Sequence, residues 1–482
     1  MSESRWRGLL VEPARPDAIR NRPIAPWLAV GTVCIGAFMG QLDASIVTLA
    51  FPTLERSFHA TLSAVQWVGL TYLLTLVGLV AAFGRLADML GRKLLYTYGF
   101  GVFIVGSALC AVAPGLVVLD GFRVVQGVGA AMLQANSVAI IAASVPSDRL
   151  GRAVGLQGTA QALGLSLGPA VGGVLIGVAG WRLIFLINVP LGLVGIVLGW
   201  YLIPRSRHLS ERARFDWLGL VILLPAVCLA LLALSFGNEQ GWTAPTTVGE
   251  LVGALGLTAA FVARERRAPG PMIDLSLFAR RAFSAGVGSG FLSYLVMFGV
   301  LFMFPFFMEN VRHLSAAVTG AELTVMPLAL ALVAPLAGRL ADHVGARPLT
   351  TAGMALTSAA LALVAVFHAD GRALVGELAA IGAGLGLFTP PNNAAIMGAA
   401  PLSQAGVASG VLNLTRGLGT SVGLAATAAV LASVAGSRLV DPGRTAHAFG
   451  VAAVFLAVVS GVALGVAVAR PGVGLSGPTG DS

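Results

Sequence analysis

The sequence predicts an all-α membrane protein of fourteen transmembrane helices, built as two six-helix bundles with two further helices inserted between them. Three observations predict it. The 482 residues are 57% hydrophobic and 11% charged, with a mean hydropathy of +0.88, whereas soluble domains carry about 25% charged residues. The apolar residues come in runs of about 20 to 28, and at ~1.5 Å per residue such a run crosses a ~30 Å hydrocarbon layer. The segment GRLADMLGRK, Gly84–Lys93, returns 254 residues later as GRLADHVGAR, Gly338–Arg347, so one unit occurs twice. The alternating ~10-residue strands of a membrane β-barrel are not visible.

Residues 1–26 form a polar tail with five arginines. The first apolar run lacks a small-residue cleavage site and is too long for a signal-peptide core, so it reads as a retained span. The first bundle, 27–203, holds span 1 (Trp27–Ala50), span 2 (Ser63–Phe83), span 3 (Leu94–Ala113), span 4 (Leu116–Ala143), span 5 (Ala153–Ala179) and span 6 (Leu183–Ile203). Residues 204–266 hold a basic linker and the inserted spans 7 (Trp217–Phe236) and 8 (Thr246–Ala263). A linker at 267–281 leads to the second bundle, 282–470. It holds spans 9 (Ala282–Met308), 10 (Leu314–Ala337), 11 (Leu349–Phe367), 12 (Ala373–Ala400), 13 (Ala405–Leu431) and 14 (Ala446–Ala469). Residues 471–482 are a short Gly/Ser/Pro-rich tail. The repeat offset also carries Pro146 onto Pro401 and Gly155 onto Gly410.

The net charge of +9 does not mark a nucleic-acid surface, because the basic residues are scattered over short loops. It reports topology. With the N-terminus in the cytoplasm, 22 Lys and Arg fall in tails and inner loops and six in outer loops. The positive-inside rule then sets both termini in the cytoplasm of a cell-membrane protein. Arg123 and Arg416 remain inside spans. Cys34, Cys110 and Cys228 lie within apolar runs and read as small packing residues.

Five motifs in order give the chain a family resemblance. LDASIVTLAFP (Leu42–Pro52), the hinge Gly84–Lys93, LDGFRVVQGVGAA (Leu119–Ala131), GLSLGPAVGG (Gly164–Gly173) and WRLIFLINVPLG (Trp181–Gly192) resemble the signatures of the major facilitator superfamily. Within it they resemble those of the 14-helix drug:proton antiporters (EmrB/QacA type). The resemblance implies the major facilitator fold and a proton-coupled exporter of amphipathic drugs or antibiotics that works by alternating access. It implies no cofactor beyond the proton gradient. The second hinge departs at Ala346, where the first has Arg92.

The residues support such chemistry on their own terms. Asp43 is the candidate proton-coupling group, since a carboxylate deep in a span costs ~2.5–3.5 kcal/mol and is functional by default. Arg123 sits at a matching depth in span 4 and is its candidate partner. Glu322 and Glu377 are further apolar-flanked acids near outer span ends, either second proton sites or interfacial carboxylates. Gln126, Gln157, Gln161, Asn392, Asn413 and Arg416 are intramembrane polar groups that need partners, either on a shared substrate cavity or in helix–helix bonds. In the hinge, Gly84 and Gly91 are expected to let the backbone turn. Arg92 and Lys93 belong to the same gate motif, and Asp88 is expected to latch the cytoplasmic side against the positive N-terminus of span 11; the alternative is a loop that serves only as a positive-inside anchor, and Asp342 echoes Asp88. Gly164, Gly168 and Gly172, four residues apart, give a smooth helix face for close approach, Gly173 completes the motif, and Pro169 favours a bend. The six histidines lie in loops or at span ends, which disfavours an intramembrane histidine relay. The only lysine, Lys93, precedes Leu94, so no Walker A motif exists, and no H-E-x-x-H zinc motif is present. An enzyme is therefore disfavoured. A symporter or facilitator for uptake on the same fold is the alternative.

Overall fold

The computed structural model describes residue 12 and residues 14–146, 149–206, 216–268, 273, 275–367, 373–400, 405–436, 439 and 441–470. Among them, fourteen helices are long and apolar enough to cross a membrane. In the first set are α1 (Ala25–Phe58), α2 (Trp67–Leu90), α3 (Arg92–Ala111), α4 (Leu116–Ser144), α5 (Leu150–Ala179), α6 (Asn188–Leu202, which spans together with the preceding turn from Leu183), α7 (Trp217–Gln240) and α8 (Pro245–Glu265). The second set is α9 (Arg281–Asn310), α10 (Ala316–Val344), α11 (Ala346–Phe367), α12 (Leu374–Ala399), α13 (Ala405–Ala435) and α14 (Pro442–Ala469). One-turn helices at Leu62–Val65 and Leu183–Leu186 lead into α2 and α6. An even number of crossings puts both chain ends on one face, here the terminal face.

Packing repeats as the sequence does. In the first half α1 packs on α4, α5 and α6, α2 on α4, and α3 on α4 and α6. Each pair recurs eight helices later: α9 on α12, α13 and α14, α10 on α12, and α11 on α12 and α14. Between the halves, α5 lies along α10, α1 against α9, and α2 against α13. The inserted α7 fills the α2–α13 seam. Leu224 sits where a side chain on Gly78 of α2 would be, and Asn238 donates to the Ala429 carbonyl of α13 at 2.5 Å. Helix α8 packs on α7 alone among the helix pairs in close contact.

The glycines of α5 are used on two sides. A Cβ at Gly164 would strike the Phe38 carbonyl oxygen, and one at Gly168 would strike Ser45 Oγ and come within 3.0 Å of the Ile46 nitrogen. These positions press α5 onto α1 of its own half. A Cβ at Gly173 would instead strike the Ala316 carbonyl oxygen of α10, and Gly320 of α10 meets the Pro169 carbonyl. Small residues thus bring the two halves into backbone contact, where lipid offers no driving force except close packing.

The hinge differs from the sequence expectation. Gly84 lies inside α2, where an added Cβ would meet only Ala135 at 4.0 Å, and Gly338 lies inside α10 with open space. The turns are made by Gly91 (φ 114°) and Gly345 (φ 82°) alone, a region that disfavours any residue with a Cβ. The helical stretch runs through GRLADML because Ala, Leu, Met and Arg are good helix formers. The side chains of Arg85, Asp88 and Asp342 lie outside the described residues. Arg92 is half-buried and its N–H donates to Ser206 Oγ at 2.9 Å. Lys93, expected in the cytoplasmic gate motif, is buried at the start of α3, within the field of Glu12.

Candidate functional site

Asp43 lies on α1 in the middle of the first half, fully buried. Its Oδ2 accepts from Arg123 Nη1 at 2.7 Å. Its Oδ1 accepts from Gln126 Nε2 at 2.8 Å and from Asn188 Nδ2 at 2.9 Å. Arg123 also donates to the Gln126 side-chain oxygen at 2.6 Å and, through Nε, to the Val68 carbonyl at 2.8 Å. Ser107 accepts from Gln126 and Asn188 at 3.0 Å each and donates to the Phe185 carbonyl at 2.8 Å. Helices α1, α2, α3, α4 and α6 and the turn before α6 therefore meet in one network around this carboxylate.

This assembly follows from the apolar surroundings. In an apolar bundle a buried polar group without a partner is costly, which favours bonds between side chains of neighbouring helices. Arg123 and Gln126 are three residues apart on α4, so they share a face. The guanidinium lies 4.2 Å above the Tyr72 ring centroid and 5.7 Å from that of Phe185, where ring faces offset part of the loss of hydration.

One wall of this network reaches the seam between the halves. A pocket with room for about one water is lined by Thr48, Phe51, Tyr72, Arg123, Phe298 and Leu424, among others. The first four belong to the first half and the last two to α9 and α13. This places the acid network next to the surface along which the two halves meet.

The other expected site residues are distributed as follows. Gln126, expected on the substrate cavity, belongs to the Asp43 network instead, because α3 and α4 pack closely enough to enclose it. Asn392 lies in a helix–helix bond rather than on an open wall: it donates to the Gly286 carbonyl at 3.0 Å and accepts from Arg470 at 3.0 Å. Arg416 donates to Tyr294 Oη at 3.2 Å and lies 5.5 Å from that ring's centroid. Asn413 and Gln161 are half-buried, and Gln157 is buried with its amide oxygen lacking a partner. Glu322 pairs with Arg312 at 3.0 Å, and Glu377 is buried in the first turn of α12.

Four functional candidates were missed by sequence reasoning. Asn188 and Tyr72 join the Asp43 network from the α6 and α2 sides. Asp120, on α4, is taken up below. Glu309 ends α9 on the face opposite the termini, and there it accepts from Arg56 of α1 at 2.5 Å. Beside it Glu55 accepts from the Leu439 N–H at 3.0 Å, and Asn310 donates to the Leu439 carbonyl at 2.8 Å. Together these tie the halves at the opposite face, above the Phe51–Phe302 ring contact (centroids 5.3 Å apart). Asn188 was the most legible of the four, as an uncompensated amide inside an apolar run.

Two repeated bundles meeting at a central seam, with a charged network buried beside it, define a multi-pass membrane transporter. The chain matches the family model described as Major Facilitator Superfamily over residues 33–283 and 286–479, and it belongs to that superfamily. It is 34% identical over 406 residues to the riboflavin transporter RibZ of Clostridioides difficile (strain 630), covering 83% of this chain and 87% of the relative. It is 34% identical over 403 residues to the multidrug resistance protein Stp of Mycobacterium tuberculosis (strain CDC 1551 / Oshkosh), covering 83% and 74%. It is 30% identical over 433 residues to the tetracenomycin C resistance and export protein of Streptomyces glaucescens, covering 88% and 80%. Among solved structures, a POT family transporter in complex with 5-aminolevulinic acid superposes with a TM-score of 0.67 at 14% identity, covering 90% of this chain and 94% of that one. That likeness speaks for the fold alone.

Proposed function

We propose that the protein is a proton-coupled exporter of amphipathic small molecules, drugs or antibiotics among them, acting by alternating access in the cell membrane with both termini cytoplasmic. The observation that carries this reading is the Asp43–Arg123 network: a buried carboxylate with a fixed counter-ion, set beside the seam that must move. The resistance and export relatives support the direction of transport. The seam contacts named above run from mid-depth to the opposite face, while Gly155, Leu156, Gly158 and Thr159 of α5 are exposed nearer the terminal face. We read this conformation as open toward the cytoplasm, where cargo would enter.

The driving force suffices. A proton moving down 100 mV and one pH unit releases ~2.3 plus ~1.4 kcal/mol, which supports about a 500-fold gradient of a neutral cargo. Substrate-dependent proton release in everted vesicles, screened over dyes and antibiotics, tests the reading. Release stimulated by one class of compound is the expected result, and transport indifferent to every imposed ion gradient rejects it. A second reading, solute transport in the uptake direction on the same fold, draws on the riboflavin-transporting relative; accumulation rather than depletion in whole cells would select it.

The Arg56–Glu309 pair serves in this scheme as an outer latch. Glu309→Gln is expected to weaken it by on the order of 1 kcal/mol, because Arg56 remains half in solvent. That corresponds to roughly a fivefold shift toward outward opening, read as faster thiol labelling of a cysteine placed at Phe302. In the hinge, Asp88 would latch the cytoplasmic side against the N-terminus of α11. Asp88→Ala is expected to slow turnover with less effect on substrate binding, and unchanged turnover removes the latch.

A further inference from the structure

We infer that Asp120 is a second proton-carrying carboxyl, which holds a proton while Asp43 is ionised against Arg123. The inference rests on the proton-coupled reading and adds to it the residue that shares the proton. Asp120 lies three residues before Arg123 on α4, hence about one turn nearer the opposite face and on the same side of the helix. The residue is half-buried, and its Oδ1 is buried with no hydrogen-bond partner among the described residues. Arg123 is the cation whose field reaches it, and the Cys110 thiol lies within the fields of Asp43, Asp120 and Arg123 together.

Hydrogen bonding divides the two acids. Asp43 accepts from Arg123, Gln126 and Asn188, an acceptor-only pattern that suits an ionised carboxylate. Asp120 has no comparable set of donors. The cluster holds two carboxyl groups and one guanidinium, and a carboxylate oxygen shut away from water without a donor disfavours the charged form. Neutrality requires one proton, and the acid without donors is where it resides. A proton bound at Asp120 takes the cluster from one net negative charge to zero, and its departure reverses that.

The other groups around the cluster do not alter the count. Tyr72 from α2 and Cys110 from α3 are uncharged at neutral pH. Helix α5 has no ionisable residue beyond Arg152, which lies at its terminal-face end. Arg182, before α6, is exposed, stacks on Trp181 and donates to the Ala113 carbonyl. Position adds a direction: a proton crossing from the opposite face meets Asp120 before Asp43.

Infrared difference spectra of the purified full chain in nanodiscs at neutral pH test this without any transport step. Wild type minus Asp120→Asn is expected to leave a positive C=O band of a protonated carboxylic acid, and Asp120→Glu to retain such a band at a shifted position. Asp43→Asn is expected to lose the same band, because Asp120 then becomes the sole counter-ion of Arg123 and ionises. A featureless difference for Asp120→Asn, or a band that survives in Asp43→Asn, overturns the proposal. Because the spectra need no cargo, either result is independent of whether pH-driven efflux through Asp43 succeeds or fails in vesicles.

Discussion

Asp43→Asn is expected to abolish pH-driven transport while folded protein remains in the membrane. Asparagine keeps the shape of aspartate and can still accept from Arg123 through its side-chain oxygen. It cannot bind and release a proton. Removing one member of a buried ion pair ordinarily costs ~3–5 kcal/mol, because the other charge is stranded. Here Asp120 stands one turn away and can take up the counter-charge, so the loss of stability should fall well short of that figure. The measurements are cargo flux in proteoliposomes with and without an imposed pH gradient, and the thermal midpoint of the purified variant. Normal acceleration of flux by the gradient would move the coupling role away from Asp43.

Gly173→Ala should separate assembly of the protein from its switching. The added methyl group strikes the Ala316 carbonyl of α10 and approaches the Ala317 Cα to 2.9 Å. In the proposed cycle these atoms meet only while the two halves are closed at the opposite face. Overpacking of this kind costs typically 1–3 kcal/mol, which as a bias between two conformations is about 5- to 150-fold. The variant should fold normally and favour parting of α5 from α10, read as faster labelling of a cysteine near Phe302. Gly168→Ala, five residues earlier on α5, presses on Ser45 and Ile46 of α1 within the same half. No rigid-body movement of the halves relieves that clash, so it should lower the yield of folded protein instead. Equal behaviour of the two variants would remove the distinction between the faces of α5.

Much of this could be read from the sequence because lipid makes demands that are local. Fourteen spans follow from run length, and the Gly84 and Gly338 segments align because a duplicated unit leaves a fixed offset. Asp43 and Arg123 stood out as charges in apolar runs at matching depth, and the structure joins them. What was not legible depends on which helix faces meet. Gln126 looked like a cavity residue because nothing along α4 reveals that α3 and α6 close over it. Asn392 looked similar, but its partners come from α9 and from Arg470 just past α14, far away in sequence. Glu309 escaped notice because it stands at a span end, where a carboxylate is ordinarily solvated. The hinge was drawn too wide, since glycine permits a turn without imposing one, and Gly84 stays helical.

The inserted α7 touches both halves, through Leu224 beside Gly78 on one side and through Asn238 bonded to Ala429 on the other. A guest dissolved in the bilayer therefore finds that flank shuttered, with no sideways door into the core along it. In the proposed rocking of the bundles, α7 travels with one of them and slides past the other, so its two grips set which half carries the shutter.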